Sequence, residues 1–139
     1  MRYINLFSLV LLTNVCYSQH EQMTVYEYKK YELRIFLVFG CKVGYEVGKS
    51  SLFFDALFTH EQKGDKIFRR YDPEYSLGPR SDTLFVKSKN KLKSKNMVFK
   101  KASKKRKAKI FEYHILREAD WSYYKVFQKR LEEEKDDCL

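Results

Sequence analysis

Residues 30–39 read Lys-Tyr-Glu-Leu-Arg-Ile-Phe-Leu-Val-Phe, and this stretch decides the expected fold. Charged and apolar side chains alternate through its first half, which is the two-residue period of a β-strand. Its second half is apolar at every position, which indicates burial on both faces of a sheet. We therefore expect residues 30–39 to form the central strand of the protein.

A second clear pattern lies near the C-terminus, where apolar residues recur at three- and four-residue spacing. The stripe consists of Trp121, Tyr124, Val126, Phe127 and Leu131. Asp120 precedes it in the position of an N-cap, and most of the charged residues lie outside the stripe. This pattern predicts an amphipathic helix over residues 121–135 that packs on the sheet.

Residues 50–71 fit two structures equally well. As a helix, they would begin at a serine cap, present a stripe from Leu52 to His60 and end at Gly64. As a β-hairpin, residues 54–61 would pair with residues 66–71 across a turn that contains Gly64. Local pattern leaves both alternatives open.

The rest of the chain predicts short strands separated by turns. Glycines at 40, 44 and 48 mark a turn-rich link with a short strand at 43–47, and two prolines place a loop at 71–80. Further strands are expected at 83–87, 96–100 and 109–116. The expected fold class is α+β: a small, mainly antiparallel sheet packed by the C-terminal amphipathic helix.

The N-terminus has the form of a secretory signal peptide. A basic residue, Arg2, precedes a mostly apolar run at 4–15, and a polar stretch follows from Ser18. The run is shorter than the roughly 20 residues that a membrane-spanning helix needs. We predict cleavage after Ser18, which leaves a single domain at 19–139 and an exported protein, periplasmic or secreted.

The positive charge of the chain is local. The 139 residues carry 28 basic and 18 acidic groups, a formal net charge of +10. Residues 87–109 hold 12 of the basic groups and no acidic one, so the other residues of the expected mature chain have a net charge of −3. Any attraction for anionic partners must therefore arise from this segment.

Such a lysine-rich segment favours contact with polyanions, because lysines neutralise phosphate, sulfate or carboxylate groups and release counterions. The segment contains a single arginine, so readout of bases by paired hydrogen bonds is not expected. The partner would be an anionic polymer or a membrane surface. Candidate binding residues are Lys100, Lys101, Lys104, Lys105, Arg106, Lys107 and Lys109. Alternatively, the lysines protect an exposed sheet edge from aggregation or belong to a solvated loop.

Other site chemistries find little support in the sequence. Residues 44–50 read Gly-Tyr-Glu-Val-Gly-Lys-Ser, but a phosphate-binding loop needs four residues between its glycines and this stretch has three. The histidines lack neighbours at metal-ligand spacing, so neither a metal nor a cofactor is expected. His60 with Glu61 and a nearby aspartate could form an acid–base pair if the fold brought them together.

Three cysteines occur in the chain, and the predicted cleavage would remove Cys16. Cys41 and Cys138 would then form an even pair in a compartment where disulfides persist. Three states are open: free thiols, a bridge between Cys41 and Cys138, or an intermolecular bridge.

The function expected from these observations is a non-enzymatic binding or structural protein outside the cytoplasm. A small extracytoplasmic enzyme is the alternative if His60 and acidic residues converge in a pocket. If residues 1–18 are not a signal peptide, a cytosolic nucleic-acid-binding protein becomes the alternative, with exposed aromatic residues available for stacking.

Overall fold

The computed structural model describes residues 22–48, 56–76, 80–115 and 122–134. Within these ranges the chain forms eight strands and two α-helices, with a short 3-10 helix at Lys29–Tyr31. The strands are β1 (Met23–Tyr28), β2 (Leu33–Val38), β3 (Val43–Val47), β4 (Ala56–Lys63), β5 (Lys66–Tyr71), β6 (Ser81–Ser88), β7 (Lys91–Ser94) and β8 (Met97–Lys101). The helices are α1 (Lys104–Ile115) and α2 (Ser122–Glu134).

The strands form a closed antiparallel barrel in which each pairs with its neighbours in sequence. Strand β1 closes the barrel against β8, with Tyr26 opposite Lys101 and Glu27 opposite Lys100. The expected α+β class is therefore wrong, since the fold is mostly sheet and the sheet closes on itself. Closure depends on a pairing between segments more than 70 residues apart, which local periodicity does not reveal.

The inside of the barrel is filled by side chains. Every strand except β3 contributes at least one buried apolar residue to this inner core. The inner core comprises Tyr26, Leu33, Ile35, Leu37, Ala56, Phe58, Ile67, Tyr71, Leu84, Leu92 and Phe99. Strand β3 instead presents Gly44 at the point where the Phe58 ring crosses it, and a Cβ at Gly44 would collide with that ring. A glycine is thus required on β3 for the barrel interior to pack.

A second core lies outside the barrel, between β1–β4 and the two helices. It comprises apolar residues such as Phe36, Tyr45, Phe111, Tyr124 and Phe127. The Phe127 ring stacks on Tyr45 at 5.6 Å between centroids, and Phe111 lies 5.7 Å from Phe36. Strand β2 is consequently apolar on both faces, with Ile35 and Leu37 in the inner core and Phe36 and Val38 in the second core, which explains its continuous apolar run.

Helix α2 is also fixed at its polar side. Arg130 donates to Asp72 at 2.7 Å and lies 5.1 Å from the centre of the Tyr75 ring. Both partners belong to the segment that follows β5. The helix predicted at 121–135 is confirmed over Ser122–Glu134, and these contacts hold it against the barrel.

Several sequence-based expectations need correction or refinement. The segment predicted as a strand at 109–116 is part of helix α1, in which the adjacent residues Ile110 and Phe111 pack on the barrel. The hairpin alternative for 50–71 is confirmed over 56–71, where β4 and β5 meet at the turn residue Gly64, which has φ +62°. Strands β1 and β7 were not predicted. The predicted signal peptide at 1–18 lies outside the described residues.

Candidate anion-binding surface

The outer side of β5–β8 is lined mainly by basic residues. Alternation along each strand directs Ile67, Leu84, Leu92 and Phe99 into the inner core, so their neighbours face outward. The outward residues, which we call the basic face, are Lys66, Phe68, Arg70, Ser81, Thr83, Phe85, Lys87, Lys91, Lys93, Val98 and Lys100. Six of these residues are basic and none is acidic.

Strand pairing sets the arrangement of the basic face. One row across the four strands runs Lys66, Phe85, Lys93 and Val98. The row below places Lys91 beside Lys100, which in turn lies opposite Glu27 of β1. Because paired strands lie about 4.8 Å apart, these cations are close enough to reinforce one another's potential.

A groove of about 470 Å³ extends the basic face across β8 onto β1 and the start of α1. It contains four lysines, namely Lys29, Lys30, Lys100 and Lys101. Lys30 also lies 5.5 Å from the centre of the Tyr31 ring. None of the four forms an ion pair with another described residue, so their charges face solvent. We call this concavity the basic groove.

The basic groove contains one carboxylate, and that carboxylate is neutralised by arginines. Glu27 is buried and accepts two hydrogen bonds from Arg106, at 3.0 and 3.2 Å. Arg34 Nε lies 3.8 Å from the same carboxylate. The hydrogen bond with Glu27 raises the pKa of Arg106, whereas burial lowers the pKa of Arg34. Glu27 therefore cannot offset the charge of the four lysines as well.

Helix α1 adds to the positive potential at this place. Ser103 caps it, since its Oγ accepts from the Arg106 backbone N–H at 3.1 Å. The first turn carries Lys104 and Lys105, both exposed, and no acidic residue. Cations at a helix N-terminus oppose the helix dipole at a cost of about 0.3–1 kcal/mol each. The two lysines therefore do not stabilise the helix, but they concentrate positive charge beside the basic groove.

The seven residues predicted from sequence are divided by the structure. Lys100, Lys101 and Arg106 line the basic groove, and Lys104 and Lys105 lie beside it at the start of α1. The other two lie elsewhere: Lys107 Nζ donates to the Met23 carbonyl at 3.0 Å, and Lys109 is exposed further along the helix.

Four basic residues of this surface were missed by the sequence analysis. Lys29 and Lys30 precede the lysine-rich segment by more than 50 residues and reach it only through barrel closure. Lys66 and Arg70 join it because β5 pairs with β6. Residues 66–71 alternate between exposed and buried positions, but because Phe68 is exposed and Arg69 is buried, the polarity of the sequence does not show this alternation.

A shallower concavity of about 930 Å³ lies beside the basic face, over β4–β6. Its charged lining includes Arg70, which belongs to the basic face, together with Lys42 and Arg80. Glu61 and Asp82 provide opposing carboxylates, of which Asp82 is bound to Arg69. The positive surface thus continues around the barrel from the basic groove to β4.

Charged groups also meet inside the barrel, beneath the basic face. Arg69 donates two hydrogen bonds to Asp82, at 2.7 and 2.6 Å, and a longer one to Glu46 at 3.4 Å. The Tyr71 hydroxyl oxygen lies 3.0 Å from Asp82 Oδ2 and 3.3 Å from Glu46 Oε2, so its proton can be donated to either carboxylate. We call these four residues the interior polar cluster.

Burial and neighbouring charges together shift the pKa values of three members of the interior polar cluster. It raises the pKa of the Glu46 carboxyl, although Arg69 opposes that shift, and it raises the pKa of Tyr71. Burial alone would lower the pKa of Arg69, but Glu46 and Asp82 outweigh it and the pKa rises. The members hydrogen bond to one another, which is the arrangement of a structural network.

The acid–base pair considered for His60 and Glu61 is not assembled. His60 faces Phe58 and Arg69 inside the barrel, whereas Glu61 is exposed on β4. Burial lowers the pKa of His60, and its Nε2 has no hydrogen-bond partner among the described residues. Asp55 lies outside the described residues. His60 and Glu61 both line the concavity over β4–β6, together with Arg69 and Asp82, but as adjacent residues of β4 they direct their side chains to opposite faces of the sheet.

Cys41 is disulfide-bonded and buried in the second core, between the barrel and the helices. Cys138 lies outside the described residues, so its pairing with Cys41 stays a prediction.

The described part of the chain contains no group of three His, Cys, Asp or Glu side chains that could hold a metal ion. Neither of its α-helices has the length and apolar character to cross a bilayer.

Comparison with models of known protein families, with curated proteins and with solved structures finds no match to the chain.

Proposed function

We propose that the protein is a non-enzymatic binding protein that contacts anionic polymers or surfaces through the basic face and the basic groove. The observation that carries this proposal is the charge of β5–β8, whose eleven outward residues include six cations and no carboxylate. The basic groove adds Lys29, Lys30 and Lys101 at its margin. We propose export from the cytoplasm as part of the same function.

Lysines fit such a role because the ammonium group is a mobile point charge that binds phosphate, sulfate or carboxylate without strict geometry. Their potentials add over neighbouring strands, which raises the local concentration of an anionic ligand. Binding of this kind has high salt sensitivity and little sequence selectivity.

The barrel weakens the alternative that the lysines protect a sheet edge. Every strand, including β6, β7 and β8, has a hydrogen-bonded neighbour on each side. A closed barrel has no free edge to protect from strand addition. The lysines of β6–β8 therefore serve either solubility or binding, and their segregation from acidic residues favours binding.

A salt titration with two labelled probes, heparin and oligothymidylate, tests the proposal. Wild type is compared with a variant in which Lys91 and Lys93 are replaced by Gln. The matched control replaces two exposed lysines of helix α2, Lys125 and Lys129, so its net charge is the same.

We expect wild type to bind both probes at low salt, with an affinity that falls steeply as salt increases. Each lysine that contacts a phosphate of single-stranded DNA contributes about 0.7 to the slope of log K against log salt. The basic-face variant should therefore show a lower slope, by up to about 1.4, and the control should stay near wild type. Equal behaviour of the two variants, or no binding at low salt, would contradict the proposal.

Export is tested by the mass of the protein recovered outside the cytoplasm. Cleavage after Ser18 should yield a chain that begins at Gln19. An intact N-terminus on the exported protein would contradict the predicted cleavage.

A further inference from the structure

We infer that the basic face docks on the surface of an anionic lipid bilayer, with Phe68 and Phe85 inserted between the headgroups. This inference rests on the proposed function and names its ligand. It comes from a feature that charge alone does not explain, namely that three apolar side chains are exposed among the lysines.

The three apolar side chains are Phe68, Phe85 and Val98, which are 43%, 39% and 38% exposed. Phe85 and Val98 belong to the same row across the strands, separated by Lys93. Phe68 lies opposite Thr83, so it is diagonal to Phe85 and within reach of it. Together they form an apolar lane across β5–β8, roughly 14 Å wide at about 4.8 Å per strand.

Lysines flank this apolar lane along its length. Lys66 and Lys93 lie within the row of Phe85, and Lys91 and Lys100 occupy the next row. An exposed apolar patch with a charged rim is a mark of protein or membrane interaction. A long lysine side chain can keep its ammonium group at the headgroups while its methylene chain contacts apolar surface.

A bilayer fits the apolar lane better than a hydrophilic polymer does. A sulfated polysaccharide offers phenylalanine no apolar environment, so Phe68 and Phe85 would stay hydrated in that complex. The boundary between headgroups and acyl chains offers both anions and apolar volume, and binding there increases with buried apolar area and with basic charge.

The type of cation distinguishes a bilayer from an acidic protein partner. The basic face has five lysines and one arginine, Arg70. Protein–protein interfaces are enriched in arginine and depleted in lysine. Attraction to anionic lipid requires no fixed geometry, so lysine serves it well.

The test is co-sedimentation of the exported protein with vesicles of phosphatidylcholine alone or of phosphatidylcholine mixed with phosphatidylglycerol. Wild type is compared with the double variant Phe68→Ser and Phe85→Ser. The single variant Phe39→Ser is the matched control, since Phe39 is 51% exposed but lies in the β2–β3 turn, away from the basic face. Heparin and polyglutamate are assayed in parallel as soluble polyanions, and thermal unfolding verifies that each variant is folded.

We expect wild type to bind the anionic vesicles and not phosphatidylcholine alone. The double variant should bind the anionic vesicles about tenfold more weakly, because two partly buried rings no longer enter the bilayer. Its binding to heparin, and the vesicle binding of Phe39→Ser, should match wild type.

Other outcomes separate the two proposals. Binding to heparin without binding to anionic vesicles overturns the membrane inference and leaves the proposed function standing. Equal vesicle binding by wild type and the double variant also overturns it, because the contact is then electrostatic alone. If polyglutamate binding, rather than vesicle binding, requires Phe68 and Phe85, the partner is an acidic protein. Binding to neither heparin nor vesicles overturns both proposals.

Discussion

The outer surface of β1–β4 lies under the two helices, whereas the outer surface of β5–β8 carries six cations and three exposed apolar side chains. Both halves consist of short antiparallel strands around one inner core. They differ in the residues that alternate with that core. On β2 and β3 these are Phe36, Val38 and Tyr45, whereas on β5–β7 they include four lysines and one arginine.

This difference shows that only one half of the barrel buries its outer surface under the helices. The covered half adds a second apolar core, and such burial contributes about 25 cal/mol for each Å² of apolar area removed from water. The bare half adds no such area, and its inner side also holds the charged residues Arg69 and Asp82. The bare half is therefore the part of the barrel surface that is available for binding.

The largest expected difference between the halves is the cost of removing an aromatic ring. Phe127→Ala should lower the free energy of unfolding by about 3–5 kcal/mol, because the fully buried ring stacks on Tyr45 and its loss leaves a cavity. Phe85→Ala on the bare half should cost less than about 1 kcal/mol. Urea denaturation measures both values. Similar costs would contradict the division into a stabilising half and a binding half.

The second comparison concerns the two faces of β5. Arg69→Met should lower the free energy of unfolding by about 3–5 kcal/mol, because Glu46 and Asp82 lose their buried counter-ion. The adjacent control, Arg70→Met, removes the same charge from the exposed side and should change stability by about 0.5 kcal/mol or less. A large effect of Arg70→Met in urea denaturation would show that the basic face contributes to stability.

The smallest expected effect is on pH dependence and concerns His60. Burial lowers its pKa below the ordinary value of 6.5, so the unfolded chain binds a proton more readily than the folded one. The free energy of unfolding therefore decreases as the pH falls from 6.5 towards the lower pKa of the folded state, because protonation then favours the unfolded chain. Urea denaturation between about pH 7 and pH 5 should show a weaker decline for His60→Gln than for wild type. Parallel declines would show that His60 is protonated equally well in both states.

Local sequence predicted the elements whose periodicity is simple. The period of two in residues 30–39 and the three- and four-residue spacing near the C-terminus correspond to β2 and α2. The same reasoning misassigned α1, because Phe111, Tyr113 and Ile115 alternate like strand residues. The helix is decided instead by the Ser103 cap and by the packing of Ile110 and Phe111 on the barrel.

The candidate site was predictable only in part for a related reason. The lysine-rich segment is visible in the sequence, and it contains Lys100, Lys101 and Arg106 of the basic groove. It could not reveal Lys29 and Lys30, since they approach the segment through the pairing of β1 with β8. Nor could it show that Arg106 is bound to Glu27, which is 79 residues earlier in the chain.

Composition and local periodicity are sufficient to identify the location of the excess positive charge, the strand around Ile35 and the C-terminal helix. These three features depend on residues that are close together in the sequence, because such residues determine the periodicity of apolar side chains and the local density of charge. Closure of the sheet, the burial of only one half of its outer surface and the grouping of cations across β1 and β8 follow only from tertiary structure. The physical reason is that closure gains its hydrogen bonds and buried area from segments far apart in sequence, and no local pattern records which strands will meet.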